Sequence, residues 1–386
     1  MPPAAQPLSS APDPWAPSAM PSFRSRPPYH MTEMIAAEPA LAERLIRRLQ
    51  HEPAMDALVE AVRATAGAGL PMVTTGCGTS EHAAMAISTL LADALAARSG
   101  REPRAVQALE SLWQPSTDGL VIGVSHEGGT TATNEALRAA RERGARTALI
   151  TVTARSPGAE HADIVVETEE LDQSWCHTVG YLSPILAGVV LAARVAGQRV
   201  DARAVRALLD VSDDHRAAAS VAAGLTGVDR VLVAGSGPDL VTARELALKI
   251  SEGARLPATA HDVETLLHGH LAAATRWTGL VLVRTDVEHE PEATPLRVDR
   301  LLRAARLLGM PTAGILGSRA SMSIGTDDAP AGRLVLPKAG RVPASVASLV
   351  GAVIPLQLLT ERLARARGVN PDTLGRENEA QAAAHA

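Results

Sequence analysis

Three ionisable residues are spaced to share one face of a predicted helix. Glu245, Lys249 and Glu252 stand at positions i, i+4 and i+7, so a helix would bring their side chains together. A solvated Glu–Lys–Glu face has the same spacing. The 37 basic residues, however, comprise 35 arginines and only two lysines, Lys249 and Lys338. This scarcity favours a chemical role for the compact ammonium of Lys249.

The segment after this helix is dense in titratable groups. It contains His261 and Glu264, followed by Leu267-His268-Gly269-His270. Two histidines beside a glutamate are the beginning of a metal site, but no third ligand has the spacing of a known zinc motif. We therefore expect no metal site here.

Two glycine-containing loops carry hydroxyl groups. Gly76-Cys-Gly-Thr-Ser80 follows a predicted strand and opens a helix, so its amides and the side chains of Thr79 and Ser80 can bind an anion or a polyol. Any βα turn with glycine has a similar pattern. A dinucleotide site is disfavoured because the third glycine after Gly78 is missing and no acidic residue follows at the end of the next strand.

The second loop, Ser125-His-Glu-Gly-Gly-Thr-Thr-Ala-Thr133, also lies between a predicted strand and a helix. Adjacent strand ends form the crevice in which open α/β sheets bind ligands, and Ser125 and Thr130 are candidate ligand contacts. Thr133 is expected to be the N-cap of a helix that ends at Arg143.

Alternating β-branched runs and Ala/Leu/Arg-rich segments predict an α/β fold with parallel sheets. The first half also corresponds to the second: Gly76-Cys-Gly-Thr-Ser80 to Gly235-Ser-Gly-Pro-Asp239, and Thr147–Ile150 to Thr312–Ile315. This correspondence indicates an internal duplication, hence two tandem doubly wound domains. The predicted strands are Pro71–Thr75, Gly119–Val124, Thr147–Val152, Ile164–Thr168, Arg230–Ala234, Gly279–Val283, Thr312–Leu316 and Arg333–Leu336.

The predicted organisation has five parts. Residues 1–28 are rich in Pro, Ala and Ser and are expected to be a disordered tail. Residues 29–57 have helical apolar spacing and predict one or two amphipathic helices. We expect the first domain at 58–212, the second at 213–366, and a C-terminal tail at 367–386 that closes the site.

Composition excludes several classes of protein. The chain has 386 residues, 46% hydrophobic and only 2% aromatic, which disfavours platforms for base stacking. A formal net charge of −5 disfavours nucleic acids and anionic membranes as partners. Two cysteines are too few for a disulfide scaffold. No signal sequence is apparent, and the longest apolar run, near Pro184–Val195, is too short to span a bilayer, so a soluble cytoplasmic protein is expected.

Taken together and in this order, the two loops, Glu245–Glu252, Leu267-His268-Gly269 and the ending Arg367-Gly-Val-Asn-Pro-Asp372 resemble the sugar isomerase (SIS) family. That family includes the isomerase half of glutamine–fructose-6-phosphate aminotransferase and stand-alone amino-sugar-phosphate isomerases and deaminases. The resemblance covers most of the chain from about Tyr29. It implies two tandem SIS domains, each a doubly wound, flavodoxin-like parallel sheet flanked by helices.

The resemblance also implies roles for individual residues. Glu252 corresponds to the base that moves a proton between C1 and C2 of the open sugar, with Lys249 beside it and Glu245 orienting the sugar. His268 corresponds to a ring-opening histidine that reaches the neighbouring subunit's site, so a homodimer is expected. No cofactor is required. The substrate-binding residues implied in the two loops are Gly78, Thr79, Ser80, Ser125, His126 and Thr130.

The sequence departs from the family pattern at several positions. The phosphate loop usually reads Ser-Gln-Ser-Gly-Glu-Thr, whereas Glu127 here places an anion where a phosphate should bind, unless it turns away or protonates His126. The usual Ser-Thr-Lys is missing from Ser174–Val179, so Trp175 and His177 are expected to contact the sugar. The Schiff-base lysine of the aminotransferase is absent as well, since Arg376 cannot form an imine.

The nitrogen source of the aminotransferase is not expected either, because Pro2 stands where its glutaminase domain has a cysteine. The sequence therefore predicts an isomerase or deaminase of a phosphorylated amino sugar. The alternatives are a non-catalytic sensor of sugar phosphates and an enzyme for a non-phosphorylated sugar derivative.

Overall fold

The computed structural model describes residues 24–96, 102–210, 214–287 and 290–384. These residues form two compact units. Unit 1 comprises 37–172 and 179–206, and unit 2 comprises 24–36, 173–178 and 207–384. Residues 24–36 and 173–178 thus belong to unit 2, although they lie before and within the residues of unit 1 in the chain. The predicted boundaries at 57, 212 and 366 stay predictions. Most of the predicted tail, residues 1–23, lies outside the described residues.

Within the part of the chain that the structure describes, ten strands form two sheets of five. In chain order, β1 to β10 are Met72–Gly76, Arg104–Gln107, Leu120–Val124, Arg146–Thr151, Ile164–Glu167, Arg230–Ala234, Ala258–His261, Thr278–Arg284, Thr312–Leu316 and Gly332–Val335. The helices of the described residues, α1 to α15, are His30–Leu49, Pro53–Gly67, Thr79–Leu95, Ala108–Trp113, Thr131–Glu142, Val179–Val195, Ala202–Leu209, Asp214–Leu225, Asp239–Gly253, Val263–Leu267, Thr294–Leu307, Ala320–Ser323, Ala344–Gly351, Val353–Ala366 and Glu379–Ala384.

Both sheets are parallel throughout and have the same strand order. Unit 1 has the order β2-β1-β3-β4-β5, and unit 2 has β7-β6-β8-β9-β10. This is the flavodoxin-like order, in which the chain leaves the first strand in one direction and returns to build the sheet in the other. The strands β1, β3 and β9 are buried along their whole length, as expected for sheets covered by helices on both faces. The predicted fold class is confirmed.

All eight predicted strands are present, and none of their ends is shifted by more than one residue. The residue patterns did not predict β2 and β7, each of which has four residues. Both lie at a sheet edge and pair with a single neighbour, and their residues are half-buried or exposed rather than buried. Such strands lack the continuous apolar pattern from which buried strands are recognised. Because β2 and β7 occupy equivalent edge positions in the two sheets, both were left out of the prediction for the same reason.

The predicted N-terminal helices correspond to α1 and α2. The first turn of α1 is held by the carboxylate of Asp372, which accepts hydrogen bonds from the amides of His30 at 2.7 Å and Met31 at 2.9 Å. A carboxylate at a helix N-terminus satisfies free amides and interacts favourably with the helix dipole. The C-terminal segment of unit 2 is therefore fixed to the beginning of the described chain.

One apolar stretch of the described residues was overlooked in the sequence. Ala344–Ala366 is long and apolar enough to cross a membrane by length and composition, but 83% of its most apolar window is buried within the fold. Core helices have the same pattern. The cytoplasmic location stays a prediction.

Glycine at the end of β1 and β6 permits a close approach of strand and helix. A Cβ on Gly76 would lie 2.7 Å from the carbonyl carbon and oxygen of Ser80, and one on Gly235 would lie 2.5 Å from the carbonyl oxygen of Asp239. The contacted atoms belong to the backbone, which cannot rotate away. Both βα turns therefore require a residue without a Cβ at the end of the strand, because the backbone of the residue four positions later lies against it.

Substituting either glycine by alanine should destabilise the fold because the new methyl group would overlap the backbone. We expect Gly76→Ala and Gly235→Ala each to lower the free energy of unfolding by roughly 1–3 kcal/mol, measured by urea denaturation. Gly227→Ala is the matched control, since a Cβ there meets nothing within 4 Å. Equal stability of all three variants would contradict the close approach.

Candidate active site

Helix α9 brings the predicted acid–base residues together in unit 2. The ammonium Nζ of Lys249 lies 2.7 Å from Oε2 of Glu252 and 3.6 Å from Oε1 of Glu245. The side chains of Glu245 and Lys249 are 0% and 1% exposed, whereas that of Glu252 is 26% exposed. The alternative of a solvated Glu–Lys–Glu face is therefore wrong. Glu252 is the member of this cluster that solvent or a ligand can reach.

The electrostatics of the cluster depend on the pairing of Lys249. Burial alone would lower the pKa of this lysine, but the nearby charges of Glu252 and Glu245 outweigh it, and the pKa of Lys249 is raised above its usual value. The lysine is thus a permanent cation. Taking charges out of water is costly unless they are paired and hydrogen-bonded, so Glu245 and Lys249 depend on each other.

His268 lies in the same unit at the end of α10. The N-cap of that helix is Asp262, whose carboxylate accepts a hydrogen bond from the amide of Thr265 at 2.8 Å. The His268 side chain is 73% exposed, and its Nε2 lies 3.1 Å from Oε1 of Glu264, which also pairs with Arg297. A carboxylate partner of this kind orients an imidazole for proton transfer.

A cavity of about 800 Å³ adjoins His268 within unit 2. Its lining includes His261 and His270, whose ring centroids are 3.9 Å apart. Burial and then the proximity of His270 lower the pKa of His261. Among the residues that the structure describes, no group of three or more His, Cys, Asp or Glu side chains is arranged to hold a metal ion.

In unit 1, the Gly76–Ser80 loop connects β1 to α3. Gly78 has φ 55° and ψ −126°, a conformation that residues with a Cβ rarely adopt, and it is the N-cap of α3. Thr79 is buried and Ser80 half-buried in the first turn. The N-terminus of a helix favours anions through its dipole, and this turn forms the N-terminus of α3.

The second loop follows β3, which lies beside β1 in the sheet. The two loops come together where Sγ of Cys77 lies 3.9 Å from Oγ1 of Thr133. Ser125 Oγ donates to Thr130 Oγ1 at 3.2 Å. Thr133 is not the N-cap that the sequence predicted: Thr130 holds that position, and Thr133 is fully buried inside α5. The helix starts earlier because Thr131 and Ala132 adopt helical conformation.

Hydrogen bonds to two of its backbone carbonyl groups hold this second loop in place. The carbonyl of His126 accepts from the amide of Val152 at 2.9 Å and the hydroxyl of Thr151 at 3.1 Å. The carbonyl of Gly128 accepts from the amide of Gly158 at 2.9 Å and from Asn134 at 3.1 Å. Gly129, Thr130 and Thr131 remain exposed. The loop is thus held rigidly while its outer residues stay accessible, an arrangement suited to binding.

His126 has a structural position rather than an exposed one. Its side chain is buried, and Nε2 accepts a hydrogen bond from the amide of Asp172 at 2.9 Å, so this nitrogen carries no proton. Burial lowers the pKa of His126 to about 4. Protonation of His126 by Glu127, one of the two ways in which the sequence could accommodate an acidic residue in this loop, is therefore wrong. His126 holds the segment at Asp172, whose carboxylate accepts from Gly180 at 3.0 Å.

Trp175 and His177 are both half-buried in unit 2. The amide of Trp175 donates to the carbonyl of Asp372 at 3.1 Å, and the guanidinium carbon of Arg376 lies 3.8 Å from the centre of its ring. Sequence reasoning noted Arg376 only for the chemistry that it lacks. Arginine and tryptophan frequently form cation–π pairs, and this preference is the sequence signal that could have predicted the contact.

Known proteins provide an independent comparison. Residues 71–194 match the SIS domain. A glutamine–fructose-6-phosphate aminotransferase [isomerizing] from Symbiobacterium thermophilum is 29% identical over 271 residues, which are 66% of this chain and 42% of that protein. The chain thus spans less than half the length of this curated relative.

Three solved structures have the same fold. The C-terminal domain of glucosamine-fructose-6-phosphate aminotransferase from Francisella tularensis aligns with a TM-score of 0.75 at 19% identity, covering 90% of this chain and 99% of that one. Tagatose-6-phosphate ketose/aldose isomerase from Escherichia coli gives 0.69 at 19% identity, with 92% and 97% covered. Glucosamine-6-phosphate deaminase from Thermotoga maritima gives 0.65 at 20% identity, with 89% and 97% covered.

The buried neutral His126 should make stability depend on pH. An unfolded histidine titrates near pH 6.5, so between about pH 6.5 and 4 the unfolded chain takes up a proton that the folded chain does not. The free energy of unfolding should therefore fall with decreasing pH in this window, by up to ~3 kcal/mol from this residue. His126→Gln, whose carbonyl can still accept from Asp172, should remove that component in denaturation series at several pH values.

The exposed His51 provides the control for this experiment. His51→Gln should keep the wild-type dependence on pH. If His126→Gln keeps it too, then His126 is protonated in the folded protein and the described hydrogen bond is wrong.

Removing the cation of α9 should strongly destabilise the protein. Lys249→Met leaves Glu245 buried without its ammonium, and we expect a loss of about 3–5 kcal/mol in the free energy of unfolding. Lys338→Met, at the other, exposed lysine, should change it by less than about 0.5 kcal/mol. The double variant Glu245→Gln/Lys249→Met should lose less than the two single losses added together. Strict additivity would show that the two residues are not coupled.

Proposed function

Because this chain carries a SIS domain and has the fold of sugar-phosphate isomerases, we propose that it is an isomerase or deaminase of a phosphorylated amino sugar. The observation that carries this proposal is the α9 cluster: one accessible carboxylate, Glu252, hydrogen-bonded to the sealed cation Lys249. A solvated surface pair would not require a buried ammonium. The reaction proceeds by proton transfer between C1 and C2 of the open-chain sugar, and no cofactor is needed.

Glu252 acts as the base in this proposal. Its carboxylate removes the proton from C2 of an aldose, and the electron pair moves through the new C1–C2 double bond to the carbonyl oxygen, which gives an enediolate. A proton then moves from the C2 hydroxyl to the C1 oxygen, and the protonated Glu252 returns its proton to C1, which gives the ketose. For deamination of an amino sugar, the same transfer yields a ketose imine that water hydrolyses to a ketose and ammonia. Lys249 holds the carboxylate of Glu252 in place, and the buried Glu245 fixes Lys249.

The loops of unit 1 supply the binding groups. We assign the phosphate to the N-terminus of α5, with the hydroxyls of Ser125 and Thr130, and the sugar chain to Gly78, Thr79 and Ser80. These residues combine backbone amides at or near helix N-termini with hydroxyl groups, which suits a phosphate and a polyol. In unit 2, Trp175 and His177 are the further candidates for contacts with the sugar hydroxyls.

His268 is proposed as the group that opens the sugar ring. A ligand can reach this exposed side chain, and its carboxylate partner Glu264 orients the imidazole. In the proposed homodimer, His268 reaches the site of the neighbouring subunit.

One observation favours a second candidate function. Glu127 is half-buried inside the loop assigned to the phosphate, and its negative charge opposes a dianion at short range. An enzyme for a non-phosphorylated sugar derivative would not meet this repulsion. Free hexosamines and their 6-phosphates, compared as substrates, distinguish the two.

The test of the proposed chemistry is Glu252→Gln. This variant keeps the size and a hydrogen-bond acceptor for Lys249 but removes the base. With glucosamine 6-phosphate and fructose 6-phosphate in deuterated water, we expect exchange of the C1/C2 hydrogen, followed by NMR, to slow by about 10²–10⁴-fold. Ammonia release, assayed in parallel, separates deamination from isomerisation.

Glu292→Gln, an exposed carboxylate of the same unit, is the control and should retain the wild-type rate. Exchange by Glu252→Gln at the wild-type rate would contradict the assignment of the base. Thermal stabilisation of the wild-type protein by sugar phosphates without any exchange or ammonia release would instead support a sensor.

A further inference from the structure

Arg376 is a cation without a counter-ion. Its guanidinium lies over the ring of Trp175, with Cζ 3.8 Å from the ring centre. Its Nε is buried and has no hydrogen-bond partner, and within residues 24–96, 102–210, 214–287 and 290–384 no carboxylate forms an ion pair with it. Stacking on an aromatic face leaves the hydrogen-bonding edge of the guanidinium unused.

The neighbouring charged residues do not supply this counter-ion. Glu377, the next residue, pairs with Arg255 and accepts from the hydroxyl of Thr373. Arg367, by contrast, shows how a structural arginine of this segment is satisfied, since its Nε donates to the carbonyl of Ala254 at 3.0 Å. Arg376 therefore lacks what the other two arginines have.

The segments that hold Arg376 pack against the last turn of α9. Cys176, which follows Trp175, is fully buried, and its Sγ lies 4.0 Å from the carbonyl oxygen of Lys249. A Cβ on Gly253 would be 3.0 Å from the same sulfur and 3.5 Å from Cβ of Pro371. The Trp175–Cys176 segment and the C-terminal segment thus pack against the turn that carries Lys249 and Glu252.

The backbone before Arg376 adopts an unfavourable conformation. Leu374 has φ 50° and Gly375 has φ 84°. The left-handed region is disfavoured for leucine, and such conformations persist where the surrounding structure enforces them. Here the surrounding structure includes Asp372, which is fixed by the amides of α1 and by Trp175. Arg376 is thus held in place, although no carboxylate of the described residues forms an ion pair with its guanidinium.

We infer that Arg376 binds a carboxylate of the substrate, next to the carbons on which Glu252 acts. The planar guanidinium matches a carboxylate with two parallel hydrogen bonds, and its stacking on Trp175 keeps it oriented. The inference rests on the proposed function and narrows it: the substrate is a phosphorylated sugar derivative that carries a second acidic group at or beside its reacting end.

A pair of ligands tests this inference directly. 6-Phosphogluconate and glucitol 6-phosphate are open-chain and carry the same phosphate, but only the former has a carboxylate at C1. We expect the wild-type protein to bind 6-phosphogluconate about ten- to a hundredfold more tightly, measured by isothermal titration calorimetry. Arg376→Gln should bring the two dissociation constants within about twofold by weakening 6-phosphogluconate alone, and Arg376→Lys should give an intermediate ratio.

Arg306→Gln, at an exposed arginine of the same unit paired with Asp328, is the matched control and should keep the wild-type ratio. Equal binding of both ligands by the wild-type protein would overturn the role of Arg376 and leave the proposed function standing. Equal weakening of both ligands by Arg376→Gln would show a structural role and overturn it too. Binding of neither ligand would overturn the proposed sugar-phosphate function together with the inference.

Discussion

The buried ammonium of Lys249 is the constraint on which the packing of unit 2 around α9 depends. A cation that is 1% exposed requires anions at short distance, and α9 supplies them one turn to either side as Glu245 and Glu252. Because Glu245 is sealed and Glu252 is not, the same ion pairs that make the burial tolerable leave one carboxylate available for chemistry. Stability and the proposed reactivity therefore arise from a single set of contacts.

The segments that pack around α9 enclose this cluster. Cys176 packs against the carbonyl of Lys249, and the C-terminal segment is held at Asp372 by the first amides of α1 and by the amide of Trp175. Asp372 thus joins three segments that are far apart in sequence. This arrangement holds the segment that carries Arg376 against α9, and no carboxylate of the described residues forms an ion pair with this arginine.

Much of this structure could be predicted from residue patterns, and the limits have physical causes. Buried strands such as β3 have continuous apolar runs, and the spacing of Glu245, Lys249 and Glu252 follows from helix geometry. The edge strands β2 and β7 lack such a run. The burial of Lys249, the neutral state of His126 and the stacking of Arg376 on Trp175 depend on residues distant in the chain, which periodicity does not report.

The two sheets show how one architecture can serve two purposes. Both have the same strand order and a glycine that admits the following helix, but the fourth residue after that glycine is Ser80 in unit 1 and Asp239 in unit 2. The carboxylate of Asp239 accepts hydrogen bonds from the amide of Thr285 at 2.9 Å and from its hydroxyl at 2.5 Å, and burial raises the pKa of Asp239 to about 6. The equivalent place in unit 2 is thus occupied by a buried carboxylate. A hydroxyl stands at that place in unit 1, which fits the proposal that unit 1 binds the anion, whereas the groups proposed for chemistry in unit 2 lie farther along α9.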